Sequence, residues 1–336
     1  MVKMSDVAEK ANVSKATVSR VLRNPEAVKK DTRDKVLAII EQMNYQPNIL
    51  ARHFRRSQTN TILVVVPNIM NTVFSHILGG IEHAAGENGY RVLLANTNKQ
   101  VEREYEYLDH LKQRQVDGMI LLSARMDKNV LTEVMKQFPV VLTADYLEGV
   151  AIPTVTIDNV SSARTATEHL INMGHSRIAH ITGPLHLLVS QDRLKGYRQA
   201  LLQNGLAFDN ILIQEGDFSH ESGYNQMTKL MALEKPPTAV FSANDEMATG
   251  VIKAAKENGL SVPGDLAVVG FDNIKLSAIY DPGITTIAQP TFEMGKKAME
   301  LLLEQINGIE MGKRQHVLEN ELIIRESCGA NFKKNG

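Results

Sequence analysis

The 336-residue chain has no tryptophan, one cysteine (Cys328) and only 5% aromatic residues. A single cysteine excludes an intrachain disulfide and any cysteine-built zinc or iron–sulfur site. The ten histidines are scattered without metal-ligand spacing. His175 and His180, in Gly-His-Ser-Arg-Ile-Ala-His, read as structural, so no metal and no cofactor is expected. No run approaches the roughly 20 apolar residues of a membrane helix, and no apolar leader segment opens the chain. These absences predict a cytoplasmic protein without a membrane partner.

Net charge is also nearly absent, at −1, but its distribution is uneven. Residues 1 to 60 hold 12 Lys and Arg against 6 Asp and Glu, a net of +6; subtraction from the totals of 37 and 38 leaves 25 against 32, or −7. A basic head on an acidic body points to a polyanion partner for the head alone, because neutralising phosphates releases counterions.

The head carries the pattern that fits such a partner. Val7, Ala8 and Ala11 form one stripe of a first helix, and Asn12-Val13 breaks it. Ser14 is an N-cap for a second helix that packs through Val18, Val21 and Leu22. Lys15, Ala16, Thr17 and Arg20 are then left outward, a short polar and basic ridge of a size for a DNA major groove. A third helix is predicted from Asp31 or Thr32 to Asn44, burying Val36, Ile39, Ile40 and Met43. An ordinary helical hairpin with a solvated basic face is the competing reading, which the charge asymmetry disfavours.

From Thr61 onward, short apolar runs alternate with helical patterns. Ile62 to Pro67, Arg91 to Ala95 and Gly118 to Leu122 read as strands, with helices around Ser75 to Asn88 and Glu104 to Gln113. The alternation repeats: strands Ile178 to Thr182, Thr238 to Ser242 and Leu266 to Gly270, helices Arg193 to Asn204 and Met247 to Asn258. Buried strands separated by helices imply βαβ units and parallel sheets. The predicted fold is an all-α helix-turn-helix head plus an α/β body of two doubly wound parallel-sheet lobes, similar to periplasmic binding proteins. The chain is expected to cross between lobes near Val160, Pro290 and Ile323.

Asp6-Val7-Ala8, Val13 through Leu22, Asn44-Tyr45-Gln46-Pro47-Asn48 and Ala51-Arg52 resemble the signature of the LacI/GalR family of transcriptional regulators. The resemblance covers nearly the whole chain and is strongest to the cytidine- and purine-type repressors and the catabolite control protein. It implies a helix-turn-helix domain over 1–46, a hinge over 47–59 and an effector-binding and dimerisation domain over 60–336. Lobe 1 would hold 60–160 and 291–322, and lobe 2 would hold 161–290 and 323–336. The partners implied are double-stranded pseudo-palindromic operator DNA, a second copy of the chain, and a small effector. The protein would then be associated with the nucleoid.

DNA contacts are expected from Ser5, Ser14, Lys15, Ala16, Thr17, Arg20, Asn24 and Tyr45 of the head, and from Asn48, Ala51, Arg52, Phe54 and Arg55 of the hinge. A helix this short is marginal alone and needs a partner to form. In the resembled family a hinge side chain, usually Leu, wedges into the minor groove; here Phe54 stands there, and Phe is also a known wedge. A plain basic linker is the alternative.

In open α/β sheets ligands bind beyond the carboxyl ends of strands. Effector contacts are therefore expected from Val73, Phe74, Arg125, Tyr146, Asp158, Arg193, Phe218, Asn244, Asp272 and Gln289. Arg193 in Asp-Arg-Leu-Lys-Gly-Tyr, Asn244 in Ala-Asn-Asp-Glu-Met-Ala and Asp272 in Gly-Phe-Asp-Asn match family ligand positions; structural ion pairing or capping is the other reading. Leu187 and Val189 replace the Arg and Thr with which the purine-type repressor grips its base, so a sugar, sugar acid or pyrimidine nucleoside is favoured. A phosphorylated carrier protein is a second possible effector. Asp145, Asp158 and Asp272 could serve a hydrolase, but a DNA-binding head makes an enzyme, or a transport binding protein, the weaker reading; no catalytic residues are assigned.

Overall fold

The computed structural model describes residues 2–45, 58–150, 152–310 and 312–330. The hinge positions Asn48, Ala51, Arg52, Phe54 and Arg55 lie outside them. The chain divides into two compact units between Thr59 and Asn60.

The head is built from α1 (Met4–Ala11), α2 (Lys15–Arg23) and α3 (Lys30–Gln42). Asn12 closes α1 with φ 50°, in the left-handed region that Asn tolerates. Ser14 caps α2, its Oγ accepting the Thr17 N–H at 3.1 Å. The third helix starts one residue before the predicted range and stops two short of Asn44. Asn44 takes φ 47°, and the Tyr45 N–H then donates to the Ile40 carbonyl at 3.0 Å, closing the end. Val7, Ala8, Ala11, Val18, Val21, Val36 and Tyr45 form the head core. Val36 is buried, whereas Ile39, Ile40 and Met43 are only half-buried.

The body holds two six-stranded sheets. The first contains β1 (Thr61–Val66), β2 (Arg91–Asn96), β3 (Gly118–Leu122), β4 (Val140–Thr143), β5 (Thr154–Ile157) and β11 (Gln315–Leu318), in the order β11-β5-β4-β3-β1-β2, all parallel. The second contains β6 (Ile178–Thr182), β7 (Ile213–Glu215), β8 (Ala239–Ser242), β9 (Ala267–Asp272), β10 (Thr285–Ala288) and β12 (Glu321–Ile323), in the order β12-β10-β9-β8-β6-β7. Its edge strand β12 runs antiparallel to β10. Central strands such as β1, Thr-Ile-Leu-Val-Val-Val, are buried along their full length, which is why they read as unbroken apolar runs rather than alternating ones.

Helices cover the sheets: α4 (Thr72–Glu87), α5 (Val101–Lys112), α6 (Lys128–Met135) and α12 (Thr291–Ile306) in the first lobe, α7 (Asn159–Asn172), α8 (Leu188–Gln203), α9 (His220–Met231), α10 (Asp245–Glu257) and α11 (Lys275–Ile279) in the second. The chain passes between lobes after β5, after β10 and between β11 and β12. The third passage falls at Glu319-Asn320, a few residues before Ile323. Glu321 and Leu322 therefore belong to the second sheet and not to lobe 1, because β12 pairs with β10 from Glu321 onward. Asn320 Nδ2 donates to Ser162 Oγ at 2.9 Å, tying the third passage to the helix that follows the first.

Paired helices in both lobes meet backbone to backbone through glycine. A methyl group on Gly295 would strike the Ile77 carbonyl, and one on Gly80 the Phe292 carbonyl, across α4 and α12. Gly223 stands in the same relation to the Met247 carbonyl across α9 and α10. Gly295→Ala should therefore lower stability by about 1–3 kcal/mol through overpacking, read as a lower urea midpoint; an unchanged midpoint would contradict this contact.

Candidate functional site

On the head, Ser14, Lys15, Ala16 and Arg20 are exposed and Thr17 is half-buried above Val18 and Val21. Thr17 Oγ1 lies 2.9 Å from Ser14 Oγ, so the capping pair fixes the start of the exposed ridge. Ser5 is half-buried and donates to Asp6 at 3.0 Å. Asn24 is exposed at the end of α2. Tyr45 differs from these: at 7% exposure it is part of the head core.

In the body, the strand ends and the loops and helix starts that follow them supply the remaining predicted residues. Arg193, in the second turn of α8, is 5% exposed. Its Nε donates to Asn159 Oδ1 at 3.0 Å and its Nη1 to the Ala243 carbonyl. Its Nη2 lies 3.8 Å from Asp272 Oδ1, and its guanidinium sits 3.6 Å over the Phe271 ring. Asp272 ends β9 with φ 109° and accepts from Gln289 Nε2 at 2.6 Å. Burial pushes the Asp272 carboxyl up to about 6, against the pull of Arg193 and Gln289. Arg193, Asp272 and Gln289 are thus brought together.

Asn244 caps α10: its Oδ1 accepts the Met247 N–H at 2.9 Å and its Nδ2 donates to the Phe218 carbonyl at 3.1 Å. Phe218, with φ 70°, lays its ring against Gly183, where no side chain would fit. Asp158 is exposed and caps α7 through the Ser161 N–H at 2.9 Å. Val73 and Phe74 are half-buried at the start of α4, both N–H groups held by Asn71 Oδ1 at 2.9 and 3.3 Å. Arg125 follows β3, and its N–H is held by the buried Glu104 carboxylate at 3.0 Å.

Tyr146 follows β4 in the first lobe, and its hydroxyl donates to Asp192 Oδ2 on α8 of the second at 2.9 Å. Asp145 beside it accepts the Tyr146 N–H at 2.8 Å and the Ser123 hydroxyl at 3.3 Å. Thr143 Oγ1 and Ser190 Oγ, two residues before Asp145 and Asp192, are buried and have no partner among the described residues. Carboxylates, an amide, a guanidinium and two hydroxyls are thus gathered in the segments that follow the strands, groups whose chemistry suits a hydroxyl-rich ligand.

Three further residues organise this site without having been expected from sequence. Asp192 bridges the lobes; Glu104 holds the loop of Arg125; and Asp245, fully buried, accepts from Thr286 Oγ1 at 2.6 Å and the Ile274 N–H at 2.9 Å. Asp192 and Asp245 adjoin residues already singled out, in Asp-Arg-Leu and Asn-Asp-Glu, so adjacency was the available signal. His180 is fully buried, stacked 4.5 Å from Phe241, and burial lowers its ring to about 4, leaving it neutral. Among the described residues no three His, Cys, Asp or Glu are grouped to hold a metal, and no helix is long and apolar enough to cross a membrane.

Residues 3–48 match the model of bacterial regulatory proteins of the lacI family, and residues 167–328 that of the periplasmic binding protein-like domain. The chain is 42% identical over 328 residues to the HTH-type transcriptional repressor CytR of Escherichia coli K12, covering 97% of this chain and 96% of the relative. It is 39% identical over 304 residues to catabolite control protein A of Priestia megaterium, covering 90% and 92%. The structure of the lac repressor dimer bound to operator and the anti-inducer ONPF matches with a TM-score of 0.88 at 31% identity, over 97% of this chain and 99% of that one.

Asp145 is also pushed up to about 6, first by burial and then by Asp192, so the folded protein retains a proton that the unfolded chain releases near 3.9. Stability due to this group is therefore gained as pH falls from above 6 toward 4. Wild type should gain about 1–2 kcal/mol over Asp145→Asn between pH 7.5 and 4.5, measured by urea unfolding. A difference independent of pH would contradict the burial of this charge.

Proposed function

The chain belongs to the LacI family of bacterial regulatory proteins, and we propose that it is a transcriptional repressor whose operator affinity is set by a small molecule in the interlobe cleft. The exposed Lys15, Ala16 and Arg20 face of α2 carries this reading. Presented to a major groove, Lys15 and Arg20 donate to base edges or phosphates, and Ala16 offers an apolar contact for a thymine methyl. Ser5, Thr17 and Asn24, with the hinge residues Asn48, Ala51, Arg52, Phe54 and Arg55, place the head on the backbone and minor groove.

A homodimer sets two heads on a pseudo-palindrome. Exposed Leu93 and Leu94 on the edge strand β2, and Ile279 at 70% exposure, support self-association. The ligand is a sugar, sugar acid or nucleoside, bonded by Arg193, Asp272, Gln289 and Tyr146, with Phe74 and Phe218 flanking it. Leu187 and Val189 cannot make the hydrogen bonds a purine base requires. The ligand acts by preferring one of two lobe arrangements, with a coupling of about 1 to 3 kcal/mol, or roughly 5- to 150-fold in DNA affinity. We read the chain as a regulator rather than an enzyme, as its named relatives are regulators.

Operators selected from randomised DNA provide the test. Arg20→Ala should weaken binding to the selected site by about 1–3 kcal/mol at moderate salt, measured by fluorescence anisotropy. Unchanged affinity would remove α2 as the reading element.

A further inference from the structure

The Asp192 carboxylate is half-buried on α8 and reaches across the lobe boundary to the Tyr146 hydroxyl at 2.9 Å. Asp145 Oδ1 accepts the backbone N–H of the same tyrosine at 2.8 Å. Asp158 and Glu148 add their fields at Asp192. Four carboxylates therefore converge at this end of the cleft.

The cations nearby are committed elsewhere or exposed. Arg193 is engaged by Asp272, Asn159 and the Ala243 carbonyl. Arg125 Nη1 donates to the Lys99 carbonyl at 3.5 Å, and Lys99 acts on Asp217. Lys195, which acts on Asp192, is solvent-exposed. Ser190 Oγ and Thr143 Oγ1 are neutral, fully buried and without a partner among the described residues, and beyond β3 the buried Arg125 Nε also lacks one.

We propose that Asp192, fixed across the lobes by Tyr146, is a specificity-determining residue that excludes anionic ligands and admits neutral, hydroxyl-bearing ones. Sugar acids, sugar phosphates and nucleotides are thereby removed from the effector classes, leaving neutral sugars and nucleosides. This rests on the cleft-sensor reading above. An anion brought within a few ångströms of the Asp192 carboxylate meets like-charge repulsion on the order of a hundredfold in affinity at an intermediate effective dielectric. A neutral hydroxyl instead donates to the free Asp192 oxygen or pairs with Ser190 and Thr143.

Calorimetric titration of the full chain with matched probes tests this: cytidine against cytidine 5′-monophosphate, ribose against ribose 5-phosphate, glucose against glucuronate, and cellobiose against cellobionate. In any pair that binds, the neutral member should be favoured roughly a hundredfold. Asp192→Asn should shrink that ratio at least about tenfold through relief of repulsion, whereas Asp192→Glu, which keeps the charge, should preserve it. Equal or tighter binding of the anionic member, or an unchanged ratio in Asp192→Asn, overturns the proposal while leaving the sensor reading intact. Failure of every pair to bind overturns both.

Discussion

The second lobe is organised around one buried charge. A guanidinium removed from water is costly unless its donors and its charge are matched. Arg193 meets this requirement with partners from separate elements: Asn159 at the start of α7, the carbonyl of Ala243 after β8, Asp272 at the end of β9, and the face of Phe271. The carboxyl ends of two central strands and the starts of two helices are thereby set relative to one side chain. Asp272 and Asn273, with φ of 109° and 55°, occupy a backbone region that persists only when its surroundings impose it. Asp245 grips the following Ile274 N–H, and Arg325 Nη2 donates to Asn273 Oδ1 at 2.7 Å. Arg325 thus ties the distal part of the chain to the cleft.

The two lobes are joined at opposite ends of a short lever. At one end the third chain passage is bonded to the helix that follows the first, Asn320 to Ser162. At the mouth, Tyr146 meets Asp192. Lobes tied through Asn320 and Ser162 at one place and bridged by Tyr146 and Asp192 at another suit the ligand-dependent change of arrangement proposed above. This is the geometry of hinge closure, in which packed lobes shift as units between discrete arrangements.

Much of this was legible from residues alone. Ser14 with Val18 and Val21 defined the second head helix, because an N-cap and a buried stripe are local signals. The uninterrupted apolar runs of β1 and β3 announced buried parallel strands. What escaped was nonlocal. Asp192 acquires its role from a tyrosine 46 positions away, and Glu104 from a loop 21 residues on. Tyr45 sits beside the hinge in sequence, yet its ring was drawn into the head core. The third lobe passage was placed too late because Leu318 to Ile323 contains no glycine or proline to mark the turn. Asn244 and Asp158 read as ligand residues, while their side-chain oxygens also cap helices; short polar side chains after strands serve both purposes.

The buried Asp272 carboxyl, matched by Arg193 and Gln289, is the group on which this arrangement turns. Carbon-detected NMR titration of the Asp272 carboxyl in the wild-type protein tests this most directly. Burial opposed by Arg193 and Gln289 predicts a midpoint at about 6. A midpoint at the ordinary aspartate value near 3.9 would mean that Asp272 is solvated, and would contradict the account.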